Sequence, residues 1–134
     1  MRRLFIIRKD LNLSAGKLAA MVAHCAEGYW MRIIQTGAQV PADVMKEYIC
    51  GTFTKTICEA KNLNQLMKVV DVANEIGLIQ GRDYDFIDDI CHTELTPEFT
   101  DDNGVPRCRV GIWFAPLSDE ISHKLSKKYQ LYKG

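Results

Sequence analysis

Ser14-Ala-Gly-Lys17-Leu-Ala-Ala-Met21-Val-Ala-His24-Cys25-Ala-Glu-Gly-Tyr29-Trp30 is the stretch whose reading decides the fold. It reads as a helix. Ser14 suits the N-cap, because its hydroxyl can accept from a free backbone N–H two or three residues on. Leu18, Val22, Cys25, Tyr29 and Ile33 recur at helical spacing and are expected to form one buried stripe. Lys17 and His24, seven positions apart, fall on nearly the same face, roughly 10 Å apart along the axis, with Ala20 and Met21 between them. A lysine in the first turn opposes the positive end of the helix dipole at about 0.3 to 1 kcal/mol, so it is poorly placed for stability alone. It is well placed to meet an anion, since the free N–H groups and the ammonium point at one spot.

Working outward, Leu4 to Ile7 is a short apolar run expected to form a strand buried on both faces, and Lys9-Asp10-Leu11-Asn12 supplies the turn into the helix. Gly37 ends that helix, Pro41 fits an N1 position, and Val44, Met45, Tyr48 and Ile49 predict a short second helix up to Gly51. Phe53 to Ala60 holds the β-branched Thr54, Thr56 and Ile57 and predicts a strand; Asn62 caps a helix through Leu63, Leu66, Met67, Val70 and Ala73 that stops at Gly77. Tyr84, Phe86 and Ile87 predict a third strand running into Asp88-Asp89, and the turn-rich Asp101-Asp102-Asn103-Gly104 precedes a fourth, Arg109 to Ala115. Pro116 closes that strand, and Ser118 caps a last helix with Ile121 and Leu125 inside. Alternating strands and helices predict an α/β fold; the last two strands lack a helix between them, so the sheet should be mixed.

With 134 residues, 47% of them hydrophobic, the chain is the size of a single domain, expected to span 1–134. No apolar run reaches 18 residues, and Leu4 to Ile7 is too short for a signal peptide, so a soluble cytoplasmic protein is expected. The five cysteines include no C-x-x-C pair and suggest reduced thiols, with Cys25, Cys50 and Cys58 as core residues. His24-Cys25 and Cys91-His92 lack the spacing of zinc ligands, so no metal and no cofactor is expected. Seventeen basic and seventeen acidic side chains cancel, so nucleic-acid binding would have to use local patches. The candidates are Arg2, Arg3, Arg8 and Lys9, then Arg107 and Arg109, then Lys124, Lys127 and Lys128.

Arg8-Lys9-Asp10-Leu11, then Gly16-Lys17-Leu18-Ala19-Ala20 and His24, resemble the opening motif of the peptidyl-tRNA hydrolases of the archaeal and eukaryotic type. Asp89-Ile90-Cys91-His92-Thr93-Glu94-Leu95-Thr96-Pro97 resembles that family's second block, and Val110 to Pro116 its final strand. The resemblance implies a three-layer α/β/α sandwich with a four-stranded mixed sheet, usually a homodimer, that cleaves the ester between a peptide and the terminal ribose of tRNA. Carried over by position, the family's functional residues fall on Lys17, His24, Asp89 and Thr93, which are the expected catalytic residues, and the local basic residues Arg8, Lys9 and Lys17 are the expected tRNA contacts. Ester hydrolysis needs an activated nucleophile, a partner for the oxyanion and a proton for the leaving oxygen. The four residues can divide those tasks, with Thr93 either a positioning hydroxyl or a nucleophile held by Asp89.

The sequence also departs from the family. Met21 stands where a glutamine is usual, Cys91 where a glycine is usual, Glu94 for a glutamine and Glu59 for a strand lysine, and 100–107 reads as an insertion. Acidic side chains near a phosphate repel it. The alternatives are therefore a non-catalytic RNA- or protein-binding relative and an esterase for small acyl compounds.

Overall fold

The computed structural model describes residues 1–134. Its sheet is organised around β1 (Arg3–Arg8), buried along its whole length. β2 (Lys55–Ala60) pairs with β1 in parallel, and β5 (Pro106–Phe114) lies antiparallel on its other side and pairs again, antiparallel, with β3 (Tyr84–Asp89). Two reversals leave β1, β2 and β3 pointing the same way, so their carboxyl ends share one edge of the sheet. Two short strands, β4 (Phe99–Thr100) beside β5 and β6 (Gln130–Leu131) beside β2, bring the total to six rather than the four expected. Both are two residues long and carry no apolar alternation, so periodicity could not reveal them. β4 also turns the expected insertion at 100–107 into the hairpin that leads into β5.

β1 alternates as a central strand must. Leu4 and Ile6 join a core with Leu66, Val69 and Ala73 of α3 (Leu63–Ile76) and Leu125 of α4 (Asp119–Ser126). Phe5 and Ile7 join a second core with Met21, Cys25 and Tyr29 of α1 (Ala15–Thr36) and with Val110 and Trp113 of β5. Each of these large apolar side chains contributes roughly 1.5 to 3 kcal/mol by leaving water.

The helix ends are capped by the expected residues. Ser14, Asn62 and Ser118 each accept from a backbone N–H three residues on, and Gly37 and Gly77 close α1 and α3 in the left-handed region. Pro41 is the N-cap of α2 (Ala42–Val44), one place earlier than expected, and α2 runs on as a π-helical segment Met45–Thr52.

The buried row of α1 differs from the expectation. Met21, Cys25 and Tyr29, four residues apart, are the fully buried positions, while Leu18, Val22 and Ile33 pack on the flanks. The row therefore passes through Met21 rather than leaving it on the outer face with Lys17 and His24. α1 approaches β5 closely: a Cβ on Gly28 would collide with Trp113 Nε1.

Arg3 is likewise not a surface charge. It is fully buried, donating from Nε to Phe114 O at 2.6 Å, from Nη1 to Ala26 O at 2.9 Å and from Nη2 to Cys25 O at 3.0 Å. Burial lowers its pKa to about 10. No helix is long and apolar enough to cross a membrane.

Candidate active site

Extending the buried row of α1 back by one turn of four residues leads from Met21 to Lys17. Lys17 therefore points inward, against the end of β3, and not out to solvent. Its Nζ donates to Oδ1 and Oδ2 of Asp89, 3.1 Å each, and the two side chains are 13% and 9% exposed.

Asp89 is the last residue of β3, and a register shift between Ile87 and Asp88 precedes it. Alternation along the strand separates the two neighbouring aspartates. Asp88 turns to Arg109, which donates Nε to Oδ1 at 2.8 Å and Nη2 to Oδ2 at 3.0 Å and stacks on the ring of Phe86. Asp89 turns to α1. Its Oδ2 also accepts the backbone N–H of Cys91 at 3.0 Å. Cys91 has φ +61, a left-handed conformation that an L residue adopts at a cost of about 1 to 2 kcal/mol. Burial and the charge of Asp89 push its thiol pKa upward.

The loop that follows β3 is pinned at three points. Leu95 is buried in the α1-side core. Glu94 accepts from the Ser14 amide at 2.7 Å and from the Ser14 hydroxyl at 2.6 Å, and those bonds hold its carboxyl below the usual range. Glu98 accepts from Arg8 Nη1 at 2.7 Å, which lowers its pKa as well. The head of α1, expected to face an incoming anion, thus already carries a carboxylate from its own chain. In the sequence Glu94 stands out only as an acidic departure, and no local signal marks a capping partner 80 residues away from Ser14.

His24 is exposed and lines, with Asp89, Ile90 and Arg107, a groove of about 360 Å³. Arg107, in the sequence one of a basic pair with Arg109, faces the groove while donating to Asp101 at 2.9 Å and to the Asp88 carbonyl at 3.0 Å. Thr93 is exposed in the loop, one residue before Glu94, and its hydroxyl makes no hydrogen bond within the chain.

The residues expected to contact tRNA fare differently. Arg8 has a side chain only 5% exposed and is engaged by Asp10, Glu98 and the Arg109 carbonyl, which leaves its guanidinium no free edge for a phosphate. Lys9 donates to the Lys133 carbonyl and lies over the ring of Tyr132. No group of three His, Cys, Asp or Glu side chains is gathered as a metal site would need.

The family model for peptidyl-tRNA hydrolase PTH2 matches residues 1–132. The chain belongs to that family. A peptidyl-tRNA hydrolase of Thermoplasma acidophilum is 26% identical over 125 residues, 93% of this chain and 92% of the relative. One from Haloquadratum walsbyi is 27% identical over 132 residues, 98% of this chain and 100% of the relative. One from Methanopyrus kandleri reaches 32% over 77 residues, 58% of this chain and 62% of the relative.

Within this peptidyl-tRNA hydrolase scaffold, the departures noted in the sequence acquire physical meanings. Met21 fills the core under α1, Glu94 caps α1, and Glu59 accepts the Lys133 amide at 3.3 Å beside β6. Cys91 occupies a backbone conformation that glycine would adopt without strain.

Proposed function

We propose that the protein hydrolyses the ester joining a peptide, or an N-blocked amino acid, to the terminal ribose of tRNA. The observation that carries this reading is the Lys17–Asp89 pair, bonded at 3.1 Å through both carboxylate oxygens beside the groove that His24 lines.

A lysine ammonium has three N–H donors, and two of them engage Asp89. The third is free for the oxyanion that forms when water adds to the ester carbonyl carbon. Asp89, oriented by Lys17 and the Cys91 amide, accepts the proton of that water. As the carbonyl reforms, the bond to the ribose oxygen breaks. His24, farther along the same helix, supplies the proton that the ribose oxygen takes up. The products are a free carboxylic acid and tRNA with its terminal hydroxyl restored. Thr93 positions the substrate in this scheme. Its exposed hydroxyl has no base bonded to it, which favours that role over attack as a nucleophile.

The division of side chains between an α1 core and an α3/α4 core supports a three-layer α/β/α arrangement in one domain across 1–134. Exposed apolar side chains at Met31, Ile34, Met45, Ile49 and Phe53 support a homodimer, which light scattering after gel filtration would test. A role in translation supports a cytoplasmic location.

The decisive assay is release of free tRNA from a defined N-blocked aminoacyl-tRNA, run beside a small ester. Turnover of the tRNA ester supports this function. Turnover of the small ester alone would make the protein an acyl esterase, and tRNA binding without turnover would make it a non-catalytic relative.

A further inference from the structure

The arginines of this chain are all engaged within it. Arg2 meets Asp119, Arg8 meets Asp10 and Glu98, Arg32 meets Asp85, Arg82 meets Asp83, Arg107 meets Asp101 and Arg109 meets Asp88. Arg3 is buried against backbone carbonyls, and Lys17 is held by Asp89. The groove beside Asp89 therefore offers a polyanion only charges that carboxylates already offset, and long polyphosphate chains are held mainly by cations free to displace counterions.

Free cations gather elsewhere. Between α3 and α4 lies a cavity of about 430 Å³ whose rim carries Lys68, Lys124, Lys127 and Lys128, with Glu75 as its one acidic side chain. Lys68, Lys127 and Lys128 form no ion pair, and Lys124 reaches only Glu120, at 3.7 Å. Lys124 lies on α4, Lys127 and Lys128 lie in the turn that follows it, and Lys68 stands on α3 four residues before Val72, which lines the same cavity.

The position of this cavity relates it to the candidate active site. Tyr129, part of its lining, donates its hydroxyl to the Gln65 carbonyl at 2.6 Å, fastening it to the first turn of α3. That turn follows the carboxyl end of β2, where Lys61 is exposed. Lys9 follows the carboxyl end of β1 beside Lys133, and Lys17 opens α1 after it. Lys61 and Lys9 thus stand at the carboxyl ends of the neighbouring strands β2 and β1, the edge from which the first turn of α3 leads to the cavity.

We infer that the α3/α4 groove holds the ribose-phosphate backbone of the helical body of tRNA, at a distance from the reacting ester. This rests on the proposed substrate and assigns it a second point of attachment. The sequence is neutral as a whole, so specificity for a polyanion must come from such segregation of charge, with the arginines engaged by carboxylates or carbonyls of the chain and three of the four groove lysines without an ion pair.

The test is the triple variant Lys68→Gln/Lys127→Gln/Lys128→Gln, compared with the parent and with Lys46→Gln, an exposed lysine on the segment after α2. Affinity for deacylated tRNA is measured across salt concentrations. Hydrolysis is measured on N-blocked aminoacyl-tRNA and on an N-blocked aminoacyl ester of adenosine alone. The triple variant should bind tRNA about tenfold or more weakly, and its log-log salt slope should flatten by roughly two to three units. Its KM on the full substrate should rise while kcat and turnover of the adenosine ester stay at parental values, and Lys46→Gln should match the parent throughout.

Unchanged tRNA affinity and salt slope would overturn the inference. So would equal losses on the two esters, because these would place the effect in the fold. Loss of polyglutamate binding with tRNA affinity intact would assign the groove to an acidic polypeptide and also overturn it. If the parent binds tRNA but cleaves neither ester, and the variant binds more weakly, the groove assignment stands while the hydrolase reading fails. A parent that does not bind tRNA refutes both.

Discussion

Lys17→Met, Asp89→Asn and the double variant form a cycle that asks whether the two residues act as one unit. At a separation of 3.1 Å and an effective dielectric constant of about 20, two unit charges attract by roughly 5 kcal/mol. Both side chains are largely withdrawn from water, so desolvation costs several kcal/mol and offsets most of that. The expected coupling energy in urea unfolding is therefore about 1 to 3 kcal/mol, with Lys17→Met the more damaging single change because it leaves a carboxylate without its counter-charge. Hydrolysis should behave in the same non-additive way. Each single variant should slow single-turnover cleavage of N-blocked aminoacyl-tRNA by roughly 10²-fold or more, and the double variant should be little worse than either. Asp89→Asn should also release the Lys17 ammonium and leave tRNA affinity equal or slightly higher. The assay pairs equilibrium unfolding with rapid-quench kinetics on proteins first checked by circular dichroism. Stability effects that add within about 0.3 to 0.5 kcal/mol would mean that the pair is not coupled. Parental turnover by Asp89→Asn would remove that carboxylate from the mechanism.

Gly28→Ala should lower stability by about 1 to 2 kcal/mol, since overpacking against Trp113 outweighs the better helix propensity of alanine; a melting temperature equal to the parent's would contradict the close approach of α1 to β5. Cys91→Gly should raise stability by up to about 1 kcal/mol by relieving the backbone at φ +61, and should leave hydrolysis within a few-fold; clear destabilisation in thermal unfolding would show that the thiol's packing outweighs the strain. The carboxyls of Glu94 and Glu98 titrate below their ordinary 4.5 when folded, so their contribution to docking the 90–98 loop is complete above that pH and disappears as pH falls through the lowered values. The protection of the Ser14 amide, its hydrogen-exchange rate relative to the intrinsic rate at the same pH, should therefore fall in acid in the parent, and Glu94→Gln should abolish that dependence; a loss of protection in acid that survives in Glu94→Gln would assign it to another group.

Much of the fold was legible in the sequence because its determinants are local. The caps Ser14, Asn62 and Ser118 and the stops Gly37 and Gly77 act within one turn of their own backbone, and Leu4 to Ile7 announces a strand with two buried faces. The family motif also marked Lys17 and Asp89. The tertiary structure alone decided what each charge meets, because partners 72 residues apart, as in that pair, or 80 apart, as in Ser14 and Glu94, come together only through the crossing of strands. It turned Arg3 and Arg8 from candidate surface charges into buried ties and put Asp88 and Asp89 to different uses through strand alternation. It also rotated the buried row of α1 onto Met21, which directs Lys17 inward. A hydrophobic period defines such a stripe to within about one position, whereas the orientation of the helix is set by where its neighbours leave room, here against Trp113 and the end of β3.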